Sequence, residues 1–254
     1  MKRIIFNTLI VAALVITGMT LTSCTSDPER PENEINNKHH EDPTSAVFTL
    51  IEGTLKEGKP FSADLTPNDV TLADSKQTII YAVDATHSKK KQGFHIDPAK
   101  GATKFVVKNT EDNPNTVYLL KLDYYNVKHE LMNDQFFLNQ QDQIHQHFFQ
   151  LYKKDQNGIS IRETDKRKLP FDYVYADEFN NSFIGKTNPM GFKGFIVFKE
   201  KGRKFELKVA LMHAGNASKF DNNHKASEFY TPSPSQIANS LWDFTAALPI
   251  EIQE

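Results

Sequence analysis

The sequence predicts a mainly β fold, an antiparallel β-sandwich or a barrel-like arrangement, on three observations. Short apolar and β-branched runs recur along the chain with Gly, Pro, Asn and Asp between them, the pattern of strands separated by turns. Several runs alternate with a period of two, as a strand with one buried face must. Long 3.6-residue periodicity is missing, and 19 Phe and 8 Tyr against 1 Trp shift the aromatic content towards strand formers.

The elements follow in order. Residues 46–52 read as the first strand, ended by Gly53, and residues 78–83 as the second. His87-Ser88-Lys89-Lys90-Lys91 is a basic, solvated loop. Residues 93–98 and 104–108 read as strands with Pro98 and Gly101 between them, and residues 112–115 as a turn. Residues 116–125 alternate most clearly, with Tyr118, Leu120, Leu122 and Tyr124 on one face. Residues 130–137 fit a strand or a short helix, and residues 142–152 a strand. Aromatic segments follow at 169–175 and 182–185. Residues 194–199 and 204–213 predict a hairpin turning at Lys201-Gly202, with Phe205, Leu207, Val209, Leu211 and His213 on one face. A long loop, residues 214–235, precedes a last alternating strand, residues 242–252, whose Pro249 suits an edge. The folded part divides into β-rich segments 46–125 and 126–254, as two small domains parted near 126–140 or as one continuous sandwich.

Composition removes some functions. A net charge of −2 and no Lys/Arg stripe interleaved with aromatics argue against nucleic acid as a partner. The single cysteine excludes an internal disulfide. G-x-S-x-G, H-E-x-x-H and Walker patterns are missing and no carboxylate pair stands out, so the sequence gives no reason to expect an enzyme.

The cysteine's position carries information. Met1-Lys2-Arg3 supplies positive charge, Leu9 to Ile16 an apolar core, and a small, polar run ends at Cys24, which makes residues 1–23 a secretory signal. Leu21-Thr22-Ser23-Cys24 resembles the lipobox of bacterial lipoproteins. The resemblance implies that cleavage exposes Cys24 for diacylglyceryl and N-acyl (palmitate-type) modification, and that acyl chains anchor the protein to the membrane. Residues 24–45 then form a polar, acidic tether. Its start resembles the surface-export signal of Bacteroidota lipoproteins, with Pro28, Arg30 and Pro31 interrupting the acidic block. That implies an outer-membrane location, facing the cell surface or the periplasm, and a β-sandwich binding module placed there would be of the sort that accompanies a TonB-dependent outer-membrane receptor.

The chemistry centres on histidine. On a strand, His145 and His147 point to the same side, and two imidazoles so placed suit a transition metal once a third ligand arrives. His213, closing the apolar row of the predicted hairpin, is the first candidate for that ligand. His95, Asp142 and Asp221 are weaker candidates, and His39 and His40 form a metal-collecting tract at the end of the tether. Zinc, copper and iron all accept such ligands. The His145-x-His147 strand resembles the metal-binding strand of cupins but lacks their following Glu and bracketing glycines, so neither fold nor activity transfers. Three roles compete: metal capture for uptake or sensing, a sandwich that binds a glycan, peptide or protein through aromatics at 171–175 and 229–230, and a structural part in an envelope assembly.

Overall fold

The computed structural model describes residues 40–83 and 94–254; the signal segment, Cys24, His39 and the loop at 87–91 lie outside the described residues. In chain order the strands are β1 (Ser45–Leu55), β2 (Val70–Val83), β3 (Phe94–Ile96), β4 (Phe105–Val107), β5 (Thr116–Tyr125), β6 (His145–Gln150), β7 (Tyr152–Lys154), β8 (Ser160–Arg162), β9 (Phe171–Tyr175), β10 (Glu178–Phe179), β11 (Ser182–Phe183), β12 (Lys193–Phe198), β13 (Lys204–His213) and β14 (Leu241–Ile252). A short helix, α1 (Pro234–Asn239), precedes β14 and is capped by the Ser233 hydroxyl, which accepts from the Gln236 amide.

Two sheets result. One has six strands in the order β3-β2-β1-β5-β12-β9 and the other four, β4-β14-β13-β6; β7-β8 and β10-β11 are two-stranded ribbons. Pairing is antiparallel apart from β4 against β14, which run parallel. The alternation in β5 does what it predicts: Tyr118, Leu120, Leu122 and Tyr124 are each at most 3% exposed. Facing them, Leu207, Val209 and Leu211 of β13 and Phe244, Ala246, Leu248 and Ile250 of β14 are buried in the same core. Rings join the layers, with Tyr124 5.0 Å and Phe48 6.1 Å from Phe244 between centroids. Each fully buried aliphatic or Phe side chain contributes about 1.5–3 kcal/mol of hydrophobic stabilisation. The described residues, 40–83 and 94–254, belong to one compact unit, without a division near 126–140.

One local alternative is resolved and one expectation changes. Residues 130–137 hold a 3-10 turn, Asn133–Phe136, which sinks Phe136 into the core. The hairpin expected from Gly194 to His213 does not form. β12 pairs with β5 and β9, whereas β13 pairs with β14 and β6, so the Lys201-Gly202 turn carries the chain between the sheets. β12 is an inner strand covered on both faces: Ile196 and Phe198 enter the main core, Phe195 and Val197 a second apolar cluster. Such a strand uses both edges for its own sheet and leaves none for β13. β14 is an inner strand and not the edge that Pro249 suggested; the proline is tolerated because β4 begins to pair with β14 only at Ile250, one residue beyond it.

Candidate metal centre

The antiparallel register of β6 and β13 sets His145 directly opposite His213, and His147 opposite Leu211. All three imidazoles lie on the rows that alternation assigns to the core face. A further ligand comes from an irregularity in β14. Leu211 pairs with Phe244 but Met212 with Trp242, so Asp243 is the extra residue of a β-bulge. The bulge reverses the strand's parity. Trp242 turns out to 36% exposure beside Phe148, and the Asp243 side chain, only 3% exposed, turns inward.

His40 completes the group from the other sheet. It stands just ahead of β1, where the Glu41 amide donates to Gln135 Oε1 (2.8 Å), the Asn126 side chain donates to Glu41 (2.8 Å) and the Thr44 amide donates to the Tyr125 carbonyl (2.8 Å). These bonds seat the His40 ring 4.5 Å from Phe136 and 4.9 Å from His145, and the residue is 6% exposed. The sequence places His40 in the tether; the structure packs it into the fold.

His40, His145, His213 and Asp243 each present a ligand atom, all within 4.8 Å of one another. Three contacts converge on a single carboxylate oxygen: His40 Nε2 at 3.4 Å, His145 Nε2 at 3.4 Å and His213 Nδ1 at 3.3 Å from Asp243 Oδ2. Ligand atoms bound at 2.0–2.1 Å around a tetrahedral zinc lie about 3.3–3.4 Å apart.

The outer hydrogen bonds orient the rings. His145 Nδ1 is 2.8 Å from the Gln141 carbonyl, which only accepts, so Nδ1 carries the hydrogen and Nε2 turns a lone pair inward. His40 Nδ1 lies 3.0 Å from the Glu41 carbonyl and follows the same logic. Its Nε2 is buried and makes no hydrogen bond, since the 3.4 Å approach to Asp243 has the distance of an ion pair without hydrogen-bond geometry. Burial lowers the His145 pKa despite Asp243 beside it, which favours the neutral ring. With Nδ1 protonated, the neutral His145 ring turns its Nε2 lone pair on the Asp243 carboxylate, an approach that a cation between them would relieve, whereas His213 Nδ1 at 3.3 Å from the same oxygen can donate to it. An imidazole bound to a metal through one nitrogen while the other donates to a carbonyl is the usual outer-shell arrangement. Phe136, edge-on to His145 at 5.2 Å, supplies an apolar wall.

The other sequence candidates stand apart from this group. His147 is fully buried, but its Nδ1 donates to the Met190 carbonyl (2.7 Å) and its Nε2 accepts from the Tyr124 hydroxyl (2.9 Å). Both ring nitrogens are used, and burial lowers its pKa to about 3. The pairing of His145 with His147 as joint ligands is therefore corrected: His147 is a core residue satisfied by protein. Its surroundings are fixed by Asp177, whose carboxylate accepts from the amides of Met190, Gly191, Phe192 and Lys193. Gly191, at φ +85°, lies so close that a Cβ there would sit 2.7 Å from that of His147. Asp142 accepts from Asn188 (2.6 Å) and Gln143 (2.8 Å), and Asp221 closes a turn by accepting from the amides of Asn223 and Lys225. His95 pairs across β3 with Ala82.

The aromatics expected to form a binding platform are mostly packed inward, with Tyr230 half-buried against the same core. Phe171, Tyr173, Tyr175 and Phe229 are at most 9% exposed and belong to the core. A cleft of about 590 Å³ runs along β9 and residues 224–229, away from the histidine group. Its lysines are already paired, Lys166 with Asp172 (3.0 Å), Lys186 with Asp64 (3.0 Å) and Lys225 with Glu228 (3.4 Å).

Sequence reasoning missed Asp243. Its only trace is a carboxylate placed among large apolar residues at the start of an otherwise regular strand, Leu241-Trp242-Asp243-Phe244. No protein-family model matches this chain, and no match was found among curated proteins or solved structures. The mainly β sandwich and a buried His/Asp group able to hold a metal ion are what the molecule itself establishes.

Proposed function

We propose that this chain is a lipid-anchored envelope protein, acylated at Cys24, that captures a transition-metal ion, zinc before copper or iron, for uptake or sensing beside an outer-membrane receptor. The observation that carries the metal reading is the convergence of His40, His145 and His213 on Asp243 Oδ2 at 3.3–3.4 Å. Three imidazoles and one carboxylate suit zinc better than copper(II), which prefers tetragonal sites, or catalytic iron(II), which needs open positions, and the three distances to Asp243 Oδ2 match tetrahedral zinc. Four protein ligands also fill a tetrahedral shell, which favours retention of the ion over catalysis on it. The lipid anchor is supported by Leu21-Thr22-Ser23-Cys24.

The test uses the full chain purified in detergent. Calorimetry should give one zinc per chain, and cobalt(II) in its place should give the intense visible bands of four-coordinate cobalt. Replacing Asp243 with Ala should remove both signals. A flat titration of the folded wild-type chain would end the metal reading. The anchor is tested separately: metabolic labelling with palmitate should mark the wild type and leave Cys24→Ala unmarked.

A further inference from the structure

We infer that the bound ion acts as a latch between the two sheets, holding the segment ahead of β1 in place when the site is loaded and letting it swing open for exchange when empty. This rests on the metal reading above. Three ligands belong to the four-stranded sheet, on β6, β13 and β14, whereas His40 belongs to the chain entering β1 of the six-stranded sheet. An ion shared by all four therefore ties one sheet to the other at this end of the sandwich.

His40 is held through its own short segment and not through a strand ladder. Its Nδ1 contact goes to Glu41, in its own segment, and its Nε2 is buried without a hydrogen bond. The segment itself is held by side chains before any strand pairing begins: the Glu41 amide donates to Gln135 (2.8 Å) and Asn126 donates to the Glu41 carboxylate (2.8 Å), and the first ladder-like bond is that of Thr44 to Tyr125. The other three ligands are built into paired strands: His145 and His213 face each other in the ladder, and Asp243 is fixed by the bulge between Trp242 and Phe244. Of the four, His40 is the ligand whose withdrawal breaks no strand pairing. The exit route for the ion is thus the space that the His40 ring fills, and site loading is felt at residues 41–46.

Hydrogen exchange read by mass spectrometry tests this on the full chain with and without equimolar zinc. Zinc should slow exchange of the amides at 41–46 by about tenfold or more at labelling times too short for global unfolding to expose the middle of β5, as expected when a local opening is tied to ligand loss. His40→Ala should still bind zinc through three ligands but release it to a chelator about tenfold faster or more, and zinc should no longer slow exchange at 41–46. His40→Gln, which keeps a polar side chain of similar reach, serves if the alanine variant folds poorly, and should behave alike. Stoichiometric zinc binding with unchanged exchange at 41–46, or release from the His40 variants at the wild-type rate, overturns the latch while leaving the metal reading standing. Failure of the wild type to bind zinc overturns both.

Discussion

His145 and His147 stand two residues apart on β6, both fully buried and both on the row facing the core, yet their surroundings differ in kind. Around His147 the protein supplies a complete set of partners, with one carbonyl and one hydroxyl for its two nitrogens. Around His145 it supplies one carbonyl and then a carboxylate approached by two more imidazoles. Strand geometry decides which way a side chain points; the partners already provided decide whether it has a lone pair to give. A buried histidine with both nitrogens satisfied is part of the core, whereas one whose remaining lone pair meets other lone pairs is part of a site.

The largest expected difference between the two regions is in metal affinity. His145→Ala or Asp243→Ala should weaken zinc binding by more than about 100-fold, beyond the 10–100-fold typical of losing an outer-shell partner. His147→Leu should leave the dissociation constant of the folded protein within a few-fold of wild type. Competition with a chromophoric chelator measures both, and equal losses at His145 and His147 would erase the distinction.

Next in size is the stabilisation that zinc should confer. At a free concentration about 100 times its dissociation constant, a ligand bound by the native state alone adds about 2.7 kcal/mol. For a chain of this size that should raise Tm by about 5–10 °C. Calorimetric scans should show this rise in the wild type and in His147→Leu, but none in Asp243→Ala.

The His147 region should answer to stability instead. His147→Leu strands the buried Tyr124 hydroxyl, at a cost of about 1–3 kcal/mol in denaturant unfolding. Met190 suffers less, because its carbonyl keeps the bond from the His147 backbone amide at 2.8 Å. Adding Tyr124→Phe should recover part of the loss, since removing both partners leaves no orphaned hydroxyl. A strictly additive double variant would show that the bond between them contributes nothing.

What the sequence made legible follows from the range of the forces involved. Alternation is local, so β5 was readable to its ends, and the core-facing rows holding His145 and His213 were readable with it. Pairing is not local. The run from Gly194 to His213 has the pattern of a hairpin, but which edges remain available depends on β5, β9, β6 and β14, distant in the chain. Asp243 was hidden for a related reason: a bulge is set by the partner strand, and regular alternation assigns Asp243 to the face opposite Phe244. His40 was seen as a metal-binding residue but placed in the tether, because polar composition around residues 38–42 does not reveal that Gln135 and Asn126 will hold Glu41.

The smallest effect concerns Lys219, which lies behind His147 and shares Met190 with it, and it separates this part of the core from the metal site by pH alone. The Lys219 ammonium, 1% exposed, donates to the Asp142 carbonyl (2.7 Å), to Asn188 Oδ1 and to Met190 Sδ (3.3 Å). Burial lowers its pKa from 10.5 to about 7, with Asp177 and Asp142 opposing the shift. Between those values the unfolded chain binds more protons than the native state, so stability contributed by this residue rises with pH through the window from about 7 to 10.5. Below pH 7 the full cost of burying the charge is present in the native state. From pH 7 to pH 8 the gain should be about 1 kcal/mol, measured by urea unfolding in the presence of a chelator. Lys219→Met should flatten that slope and leave zinc affinity at fixed pH unchanged, because the side chain touches none of the four ligands. A slope of the same size in Lys219→Met would assign the pH dependence to other groups, and a change in zinc affinity would mean that the two histidine environments are coupled.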